Sequence, residues 1–251
     1  MGSDHLLAPF RADPGSAGLF LDFDGSLAPI VDDPGSARLV DGAGDVLTSL
    51  ADRLAKIVIS SGRPVDFLAA QLPEGVSIVG LYGLEGIDHG IRWEHESAGV
   101  WREIVADVAA NIERLAPSGL RLERKGLSLT LHFRGRPDLT DEAEQLARTQ
   151  GARAGLVARP ARMSVELHPP IESDKGTVVD RFAAGLSAAL VVGDDLGDLP
   201  AYDALDRLAD SHVSTVRVAV ASAEVPTALT DRADIVVGSP AEFVELLRTL
   251  I

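Results

Sequence analysis

The run "GLFLDFDGSLAPIVDDP", Gly18 to Pro34, decides the fold of this chain. It opens with the apolar residues Leu19 to Leu21, which predict a buried strand. Two aspartates, Asp22 and Asp24, follow one residue apart, and buried carboxylates are costly unless a cation meets them. Side chains at i and i+2 of a strand point the same way, so both carboxylates can address one point. The pair either caps a turn or helix, or holds a metal and takes part in chemistry.

The composition sets the class of protein. The chain has 251 residues, which suffices for one large domain or two modest ones, and its 46% hydrophobic content is typical of a soluble globular protein. A formal net charge of −15 argues against nucleic acid as a partner, because no basic surface would neutralise phosphates. The absence of cysteine excludes disulfides and thiolate zinc sites, and we expect a cytoplasmic protein. The N-terminus does not resemble a signal peptide, and no run reaches the ~20 apolar residues of a membrane span.

Short apolar runs recur along the chain, and each ends in Gly, Ser or Asp. They read "LFLDFDG", "AKIVISSGR", "VSIVGLYG", "AALVVGDD", "VRVAVAS" and "ADIVVGS". Most lack the alternation of a half-exposed strand, which predicts strands covered on both faces. Helix-like segments such as "DGAGDVLTSLADRL" and "DLPAYDALDRLAD" lie between them. This alternation predicts an open α/β fold with a parallel sheet and helices on both faces.

The middle of the chain has a different pattern. "GVWREIVADVAANIERLA" predicts a long amphipathic helix, and "LRLERKGLSLTLHFR" alternates like a half-exposed antiparallel pair. A second helix and a further strand follow. We therefore predict a small inserted α+β domain over residues 88–166, with residues 1–87 and 167–251 forming the core.

Reactive side chains follow four of the predicted elements. In open α/β sheets, ligands bind beside the carboxyl ends of the strands. The groups expected there are Asp22 and Asp24, Ser61 with Gly62 and Arg63, Lys175 at the start of a helix, and Asp194 and Asp195 with Asp198. Crowded acids raise one another's pKa values, whereas a hard divalent ion such as Mg²⁺, with its preference for oxygen ligands, reverses that effect.

These groups together suit phosphoryl transfer. A carboxylate can attack phosphorus and form an aspartyl-phosphate, and Asp22 fits that role. Asp24 can protonate the leaving oxygen and then deprotonate the attacking water. The metal, Lys175 and Ser61 would neutralise and position the phosphoryl oxygens.

Four segments carry a resemblance to a known superfamily. "DFDGSLAPI", "ISSGR", "SDKG" and "VVGDDLGDLPAY" resemble, in order, the four motifs of the haloacid dehalogenase superfamily of phosphohydrolases. Within it, the chain is most similar to the trehalose-6-phosphate phosphatase family. "LDFDGSLAPIVDDP", "GLYGLE", "RLERKGLSLTLHFR" and "MSVELHPPIESDKG" resemble that family's opening, third-strand, cap and return segments.

The resemblance implies a Rossmann-like core with a mobile α/β cap, Mg²⁺, and hydrolysis of trehalose 6-phosphate. It implies Asp22 as the nucleophile and Asp24 as the acid/base. It implies Mg²⁺ ligands from Asp22, the backbone carbonyl of Asp24, and Asp194, with Asp195 and Asp198 as supporting acids. It implies a phosphate site made of Ser61, Gly62 and Lys175, and sugar-binding positions at Glu123, Lys125 and Glu166.

Some residues depart from the family pattern. Ser26 stands where Thr is usual, Tyr82 with Leu84 and Glu85 replaces a His-Gly-rich turn, and His168 stands where Arg is frequent. Gly197 and Leu199 replace polar residues in the fourth motif. None of these positions is the nucleophile or a ligand, but Tyr82 and His168 leave open which sugar is bound.

Each motif also has a plain structural interpretation. The aspartates could cap turns, Ser61 could cap the helix after Pro64, Lys175 could be solvated, and the cap charges could be cross-strand pairs. Two other functions also remain: a phosphatase for another sugar phosphate, such as sucrose phosphate, a glycosyl-phosphoglycerate or a pseudo-disaccharide phosphate, and a non-catalytic sugar-phosphate-binding module. The second would be expected to lose an aspartate of the first motif, and this chain has both.

Overall fold

The computed structural model describes residues 4–31, 33–161, 163–222 and 225–251. The strands are β1 Ala17–Leu21, β2 Lys56–Ser60, β3 Ser77–Gly80, β4 Glu85–Asp88, β5 Ile91–Glu94, β6 Arg121–Arg124, β7 Leu129–His132, β8 Val157–Ala161, β9 Ser164–His168, β10 Ala188–Gly193, β11 Ser214–Val220 and β12 Ile235–Val237. The α-helices are α1 Asp4–Ala12, α2 Ala43–Ala51, α3 Val65–Ala69, α4 Ala98–Leu115, α5 Thr140–Ala154, α6 Lys175–Phe182, α7 Leu199–Asp210, α8 Thr227–Thr230 and α9 Pro240–Arg248. Short 3-10 turns occur at Pro14–Ser16, Pro34–Ser36, Leu81–Gly83, Pro137–Leu139 and Leu196–Asp198.

The chain divides into two compact units, residues 1–93 with 173–251, and residues 94–172. The boundaries predicted from the sequence, 88 and 166, lie six residues earlier at both ends. The difference at the first end arises because β4 and β5 continue the large sheet as far as Glu94. At the second end, β9 belongs to the small sheet and runs on to His168.

The first unit is built on an eight-stranded sheet with the order β12-β11-β10-β1-β2-β3-β4-β5. Strands β12, β11, β10, β1, β2 and β3 are parallel, and β4 pairs antiparallel with β3. The predicted parallel sheet is therefore confirmed with an edge that the sequence did not indicate. Successive strands move away from β1 in one direction through β2 and in the other through β10. The strand order thus reverses between β1 and β10, which is where open α/β sheets bind ligands.

The two faces of the large sheet carry separate apolar clusters. Leu19 and Leu21 of β1 lie in a cluster with Leu47 of α2 and Phe243 of α9, whereas Phe20 lies in another with residues of α6 and α7. All five residues of β1 are buried, which explains the missing alternation. The predicted arrangement of helices on both faces is confirmed.

The second unit is a four-stranded antiparallel sheet with the order β6-β7-β9-β8. Helices α4 and α5 pack on one of its faces, where Ile112 and Ala147 meet Leu129, Leu131 and Leu167. This α+β architecture is the one predicted for the insertion. The segment after α5 forms a hairpin, β8 and β9, in place of one strand.

The described ranges contain no helix that combines the length and the apolar character needed to cross a bilayer.

Candidate active site

The candidate site lies where three neighbouring strands end. Asp22 follows β1, Ser61 follows β2 and Asp194 follows β10. Leu21 of β1 pairs in register with Ile59 of β2 and Val192 of β10. Parallel strands present their carboxyl ends at one edge, so the three loops meet there.

Lys175 joins two of the acids. Its Nζ donates to Asp22 Oδ1 and to Asp198 Oδ1, both at 2.5 Å. Lys175 is the first residue of α6, and Asp174 caps that helix by accepting from the amide of Thr177 at 2.8 Å. The cap fixes the helix start and therefore the root of the lysine side chain. The prediction that Lys175 lies at the site is consistent with this position, and the solvated interpretation is wrong because the residue is only 6% exposed.

The loop after β10 is organised by Asp198. Its Oδ2 accepts from the backbone amides of Asp194, at 3.0 Å, and Asp195, at 3.2 Å. Both oxygens of Asp198 therefore have donors. Asp195 is exposed, and its side chain caps the short turn by accepting from the amide of Gly197 at 2.7 Å. The two predicted supporting acids thus both shape this loop.

Burial and crowding set the charge states of the cluster. Burial raises the pKa of Asp22 well above its usual value, Lys175 opposes the rise, and Asp198 and Asp194 add to it. Burial likewise raises the pKa of Asp198, against the lowering effect of Lys175. Burial alone would lower the pKa of Lys175, but Asp198 and Asp22 raise it well above the usual value. Lys175 therefore stays protonated and positively charged, but its single charge does not neutralise the charges of all the acids around it.

The cluster fits a hard divalent cation. One carboxylate oxygen each of Asp22, Asp194 and Asp198 lie within 4.8 Å of one another, and all three residues are buried. Three carboxylates beside one ammonium leave a formal excess of two negative charges. Among the described residues, Asp22 Oδ2 is buried without a hydrogen-bond partner. Gly25 has a φ of +87°, and a Cβ there would collide with the Asp194 carboxylate, so the glycine allows this close approach.

Asp24 lies outside that group of three in the described part of the chain. Its carboxylate is held by Arg63, whose Nε donates to Oδ2 at 2.7 Å and whose Nη2 donates to Oδ1 at 2.6 Å. The two aspartates of the first motif therefore have different cations. Asp22 contacts a lysine inside the acidic cluster, and Asp24 contacts an arginine from the loop after β2.

The predicted phosphate-binding loop is buried and tightly packed. Ser61 is 2% exposed, and its Oγ accepts from the amide of Arg63 at 3.2 Å, so its own hydroxyl proton remains able to donate. A Cβ on Gly62 would lie 2.6 Å from the ring of Tyr82, which leaves room only for glycine. The alternative that Ser61 caps the helix after Pro64 is wrong, because Pro64 is the N-cap of α3 and the Ser61 hydroxyl accepts from Arg63, which precedes the helix.

The second unit gathers the three predicted sugar-binding residues around one sheet. Glu166 Oε1 accepts from Ser128 Oγ at 2.7 Å and lies 3.6 Å from Lys125 Nζ. Glu123 Oε2 lies 2.8 Å from His132 Nε2. The alternative interpretation made Glu123, Lys125 and Glu166 cross-strand charge pairs on the solvent face. The pairs Glu123–His132 and Lys125–Glu166 do join different segments, but Glu166 is only 5% exposed and therefore does not lie on a solvent face.

The register aligns these acids with other polar groups. A row of cross-strand partners runs through β6, β7, β9 and β8: Glu123, Thr130, Glu166 and Arg159. We call this row, together with His168 and with Lys125 beside Glu166, the polar face. Side chains alternate along a strand, so the polar face is opposite the apolar residues that meet α4 and α5. Glu166 and His168 are each 5% exposed, and Thr130 is 3% exposed.

Comparison with known proteins identifies the family. The family model described as Trehalose-phosphatase matches residues 20–234.

The chain belongs to the trehalose-phosphatase family.

Relatives and solved structures agree with that assignment. A trehalose-phosphate phosphatase of Mycobacterium leprae is 33% identical over 202 residues, covering 74% of this chain and 47% of that protein. An uncharacterized glycosyl hydrolase of Mycobacterium tuberculosis is 32% identical over 200 residues, which is 74% of this chain and 15% of that protein. The chain therefore spans about half the length of the curated phosphatases that it matches, and far less of the second relative.

Two solved structures support the fold. The C-terminal domain of Candida albicans trehalose-6-phosphate phosphatase matches with a TM-score of 0.81 at 24% identity, covering 100% of this chain and 97% of that one. A sucrose-phosphatase from Synechocystis matches with a TM-score of 0.57 at 16% identity, covering 94% of this chain and 98% of that one. The resemblance noted in the sequence is thus confirmed for the family and for the fold.

The third-strand segment of this trehalose-phosphatase family member is hydrogen-bonded to several parts of the site, a role that was not predicted. Leu81 and Tyr82 have φ of 50° and 56°, unusual for residues with side chains. The amide of Leu81 donates to Arg63 O and that of Tyr82 to Ser61 O, both at 3.1 Å. The strained turn is thereby hydrogen-bonded to the loop after β2, for which the sequence predicts phosphate binding.

The same segment holds two further elements. Ser173 Oγ donates to Tyr82 O at 2.5 Å, just before the helix that begins at Lys175. Glu85 Oε1 accepts from the amide of Val65 at 2.7 Å, at the start of α3. The quoted signature "GLYGLE" was a usable signal, but its contacts could not be read from sequence because they join segments far apart in the chain.

Two further residues of the polar face carry buried polar atoms that the sequence did not predict as part of the site. Thr130 Oγ1 and His168 Nε2 are buried, and neither has a hydrogen-bond partner among the described residues. Burial lowers the pKa of His168 to about 4, with a further lowering by Arg159. The sequence identified His168 only as a departure from the family pattern and gave Thr130 no role.

Proposed function

We propose that this chain is a Mg²⁺-dependent phosphatase that hydrolyses trehalose 6-phosphate to trehalose and phosphate. The observation that carries the proposal is the cluster of Asp22, Asp194 and Asp198 around Lys175 at the point where the strand order reverses. Family membership and the relatives' names support the sugar.

Asp22 is the nucleophile in this proposal. Its Oδ1 is held by Lys175, and its Oδ2 has no hydrogen-bond partner in the described residues, so one oxygen is oriented and the other is available to attack phosphorus. The attack forms the Asp22–phosphorus bond and breaks the bond between phosphorus and the sugar oxygen. Lys175, and the Ser61 hydroxyl, would stabilise the negative phosphoryl oxygens.

Asp24 is the acid and then the base. A sugar alkoxide is a poor leaving group, so a proton from the Asp24 carboxyl passes to the sugar oxygen as the electron pair arrives there. The resulting carboxylate then accepts a proton from the water that attacks the aspartyl-phosphate. This second displacement releases phosphate and restores both aspartates to their starting states.

Asp22 and Asp194, with the backbone carbonyl of Asp24, are the proposed holders of Mg²⁺. Asp198 is a poorer candidate because Lys175 and two amides already occupy its oxygens. When bound, the ion supplies charge that lets the neighbouring acids stay ionised and neutralises phosphoryl oxygens.

The polar face is the proposed sugar-recognition surface. Glu166, Glu123 and Lys125 are charged groups that hydrogen-bond hydroxyls strongly. Thr130 and His168 add buried polar atoms for which the described residues offer no partner.

The test is a substrate panel with released phosphate as the readout. It should include trehalose 6-phosphate, sucrose 6-phosphate, glucosyl-phosphoglycerate, glucose 6-phosphate and 4-nitrophenyl phosphate, each with Mg²⁺ and with excess chelator. We expect the highest kcat/KM for trehalose 6-phosphate and no turnover with chelator. Asp45→Asn, at an exposed acid of α2, is the matched control for aspartate substitutions.

Two results would contradict the proposal. A preference for another sugar phosphate would keep the chemistry and replace the substrate. Binding of sugar phosphates without release of phosphate from any of them would favour the non-catalytic module.

A further inference from the structure

In the first unit, Arg63 binds the carboxylate of Asp24, the proposed acid and base, through two hydrogen bonds. The guanidinium contacts both carboxylate oxygens through two different nitrogens, at 2.7 and 2.6 Å. This two-point geometry fixes the plane of the carboxylate, which a single contact cannot do. Asp24 sits in a loop after β1, where its side chain would otherwise have free rotamers.

Arg63 itself is held from several directions. Its Nη1 donates to Pro34 O at 2.6 Å, and its guanidinium lies 4.6 Å from the centre of the Phe67 ring. Phe67 in turn packs edge-on against Phe23, the residue between the two aspartates, with ring centres 5.9 Å apart. The arginine side chain is 11% exposed and the Asp24 side chain 29% exposed. The position of the Arg63 side chain is therefore fixed by its surroundings, and Arg63 in turn orients the more exposed carboxylate of Asp24.

We propose that Arg63 is a positioning residue that holds the Asp24 carboxylate in the orientation needed for proton transfer to the sugar oxygen. This inference rests on the proposed function. Each carboxylate oxygen has more than one acceptor direction, so the arginine can fix the group and still leave a direction for the proton that moves between Asp24 and the substrate. The arginine neither touches phosphorus nor exchanges a proton in this proposal. It acts through Asp24.

The contrast with Lys175 shows why a separate cation is useful. Lys175 binds the nucleophile Asp22 within the acidic cluster, where it also contacts Asp198. Arg63 binds Asp24 outside that cluster. Two carboxylates two residues apart in the chain are thus kept in two environments, one suited to attack on phosphorus and the other to proton transfer.

The test compares two leaving groups in Arg63→Met and Arg63→Lys. The leaving group of trehalose 6-phosphate is a sugar alkoxide, which needs a proton. The leaving group of 4-nitrophenyl phosphate is a stabilised phenolate, which does not. We expect kcat for trehalose 6-phosphate to fall by about 30- to 100-fold in Arg63→Met, the size of effect expected when a catalytic group is displaced by about 1 Å. For 4-nitrophenyl phosphate we expect a fall of less than about threefold, because proton donation contributes little there.

Arg63→Lys keeps the charge and loses the two-point grip. We expect it to resemble Arg63→Met in its preference between the two substrates, because an ammonium cannot fix the carboxylate plane. The matched control is Arg217→Met, since Arg217 lies in the same unit, is likewise ion-paired with aspartates, Asp206 and Asp234, and has a side chain that is 14% exposed. We expect this control to leave both activities within about twofold, as for substitutions away from the site.

Chemical rescue and a double substitution provide readouts that a purely structural role would not move. In Arg63→Ala, added guanidinium chloride at low millimolar concentration should restore turnover of trehalose 6-phosphate, and sodium chloride at the same ionic strength should not. In an Asp24→Asn background, Arg63→Met should cost less than about threefold more, since the two residues act as a unit.

Three outcomes would overturn the inference. Equal losses for both substrates would mean that Arg63 acts on the phosphoryl group or on the fold, and thermal unfolding would separate those two causes. Unchanged turnover of the sugar phosphate would mean that orientation by Arg63 is unnecessary. A full additional loss in the Asp24→Asn background would mean that Arg63 does not act through Asp24. If the unsubstituted chain hydrolysed no phosphomonoester, the proposed function would fail before any Arg63 variant was measured, and if it preferred another sugar phosphate, that substrate would replace trehalose 6-phosphate in the comparison.

Discussion

Each unit of the chain buries a lysine beside carboxylates, and the two lysines are held differently. Lys175 of the first unit has a 7% exposed side chain and contacts Asp22 and Asp198, both at 2.5 Å. Lys125 of the second unit has a 9% exposed side chain, and its Nζ lies 3.6 Å from a carboxylate oxygen of Glu166.

The different surroundings of the two lysines suit the first unit to catalysis and the second to sugar recognition. The acids around Lys175 outnumber it, and that excess of negative charge suits a metal and a nucleophile. Lys125 and Glu166 carry opposite charges, lie 3.6 Å apart and share a sheet face with other polar groups, which suits neutral sugar hydroxyls. Substitutions of Asp22 or Lys175 should therefore affect every phosphomonoester, whereas those on the polar face should affect only the sugar phosphate.

Asp22→Asn tests the first half of this comparison with the largest expected effect. Because an amide cannot attack phosphorus, we expect kcat to fall by roughly 10⁴-fold or more for trehalose 6-phosphate and 4-nitrophenyl phosphate alike. Released phosphate under saturating substrate is the measurement, with Asp45→Asn as the control. Turnover that survives this change would place the nucleophile elsewhere.

The pair Lys175→Met and Lys125→Met sharpens the comparison directly. Lys175→Met leaves buried acids without their cation, so we expect loss of activity on both substrates and a decrease of about 3–5 kcal/mol in the free energy of unfolding of the metal-free protein. Lys125→Met should reduce kcat/KM for trehalose 6-phosphate and leave 4-nitrophenyl phosphate within about twofold. Urea unfolding and steady-state kinetics measure the two effects. Identical substrate profiles for the two variants would remove the distinction between the units.

Glu166→Gln probes the polar face alone. In the proposal the Glu166 carboxylate accepts from a sugar hydroxyl, and a hydrogen bond to a charged group contributes about 1.5–3 kcal/mol, so we expect kcat/KM for trehalose 6-phosphate to fall by roughly 10- to 100-fold. The aryl phosphate should be nearly unaffected. Glu113→Gln, at an exposed acid paired with Arg124 in the same unit, is the control. An equal loss for both substrates would exclude Glu166 from the sugar site.

A last effect, on stability and not on turnover, concerns His168, whose pKa is lowered to about 4 by burial and by Arg159. The unfolded chain takes up a proton below about pH 6.5, while the folded chain does not until about pH 4. The free energy of unfolding therefore decreases as the pH falls from 6.5 to 4, by about 3 kcal/mol at most from this group.

The variant His168→Gln should lack the pH dependence of the free energy of unfolding that His168 causes. The quantity to measure is the difference in this free energy between the variant and the unsubstituted chain. Urea unfolding of both proteins without metal at pH 7, 5.5 and 4 gives it. We expect the stability gap between the two to narrow or reverse toward pH 4. A gap that stays constant across this range would contradict the buried, neutral state of His168.

Much of the fold follows from local patterns in the sequence. The uniformly apolar strands predict cover on both faces, and β1 has that cover in the structure. The edge formed by β4 and β5 was not predicted, because β5 is an exposed edge strand without a clear apolar pattern. Because this edge was not predicted, the predicted start of the inserted domain, residue 88, lies six residues before the observed start, residue 94.

The site follows the same division. The sequence identifies Asp22, Lys175, Asp194 and Asp198 because they follow strands or begin a helix, and those positions converge by topology. The grip of Arg63 on Asp24 depends on side-chain geometry across 39 positions of sequence, and no local pattern encodes it. The aligned polar face likewise depends on cross-strand register, which the alternation of β6 and β7 does not specify by itself.

Trapping of the covalent intermediate tests the central claim most directly. The protein is mixed with trehalose 6-phosphate and Mg²⁺, quenched with borohydride, which reduces an acyl phosphate to an alcohol, and digested for peptide mass spectrometry. The account predicts homoserine at position 22, dependent on both substrate and Mg²⁺ and absent in Asp22→Asn. Reduction at another aspartate, or turnover with no trapped residue at position 22, would contradict it.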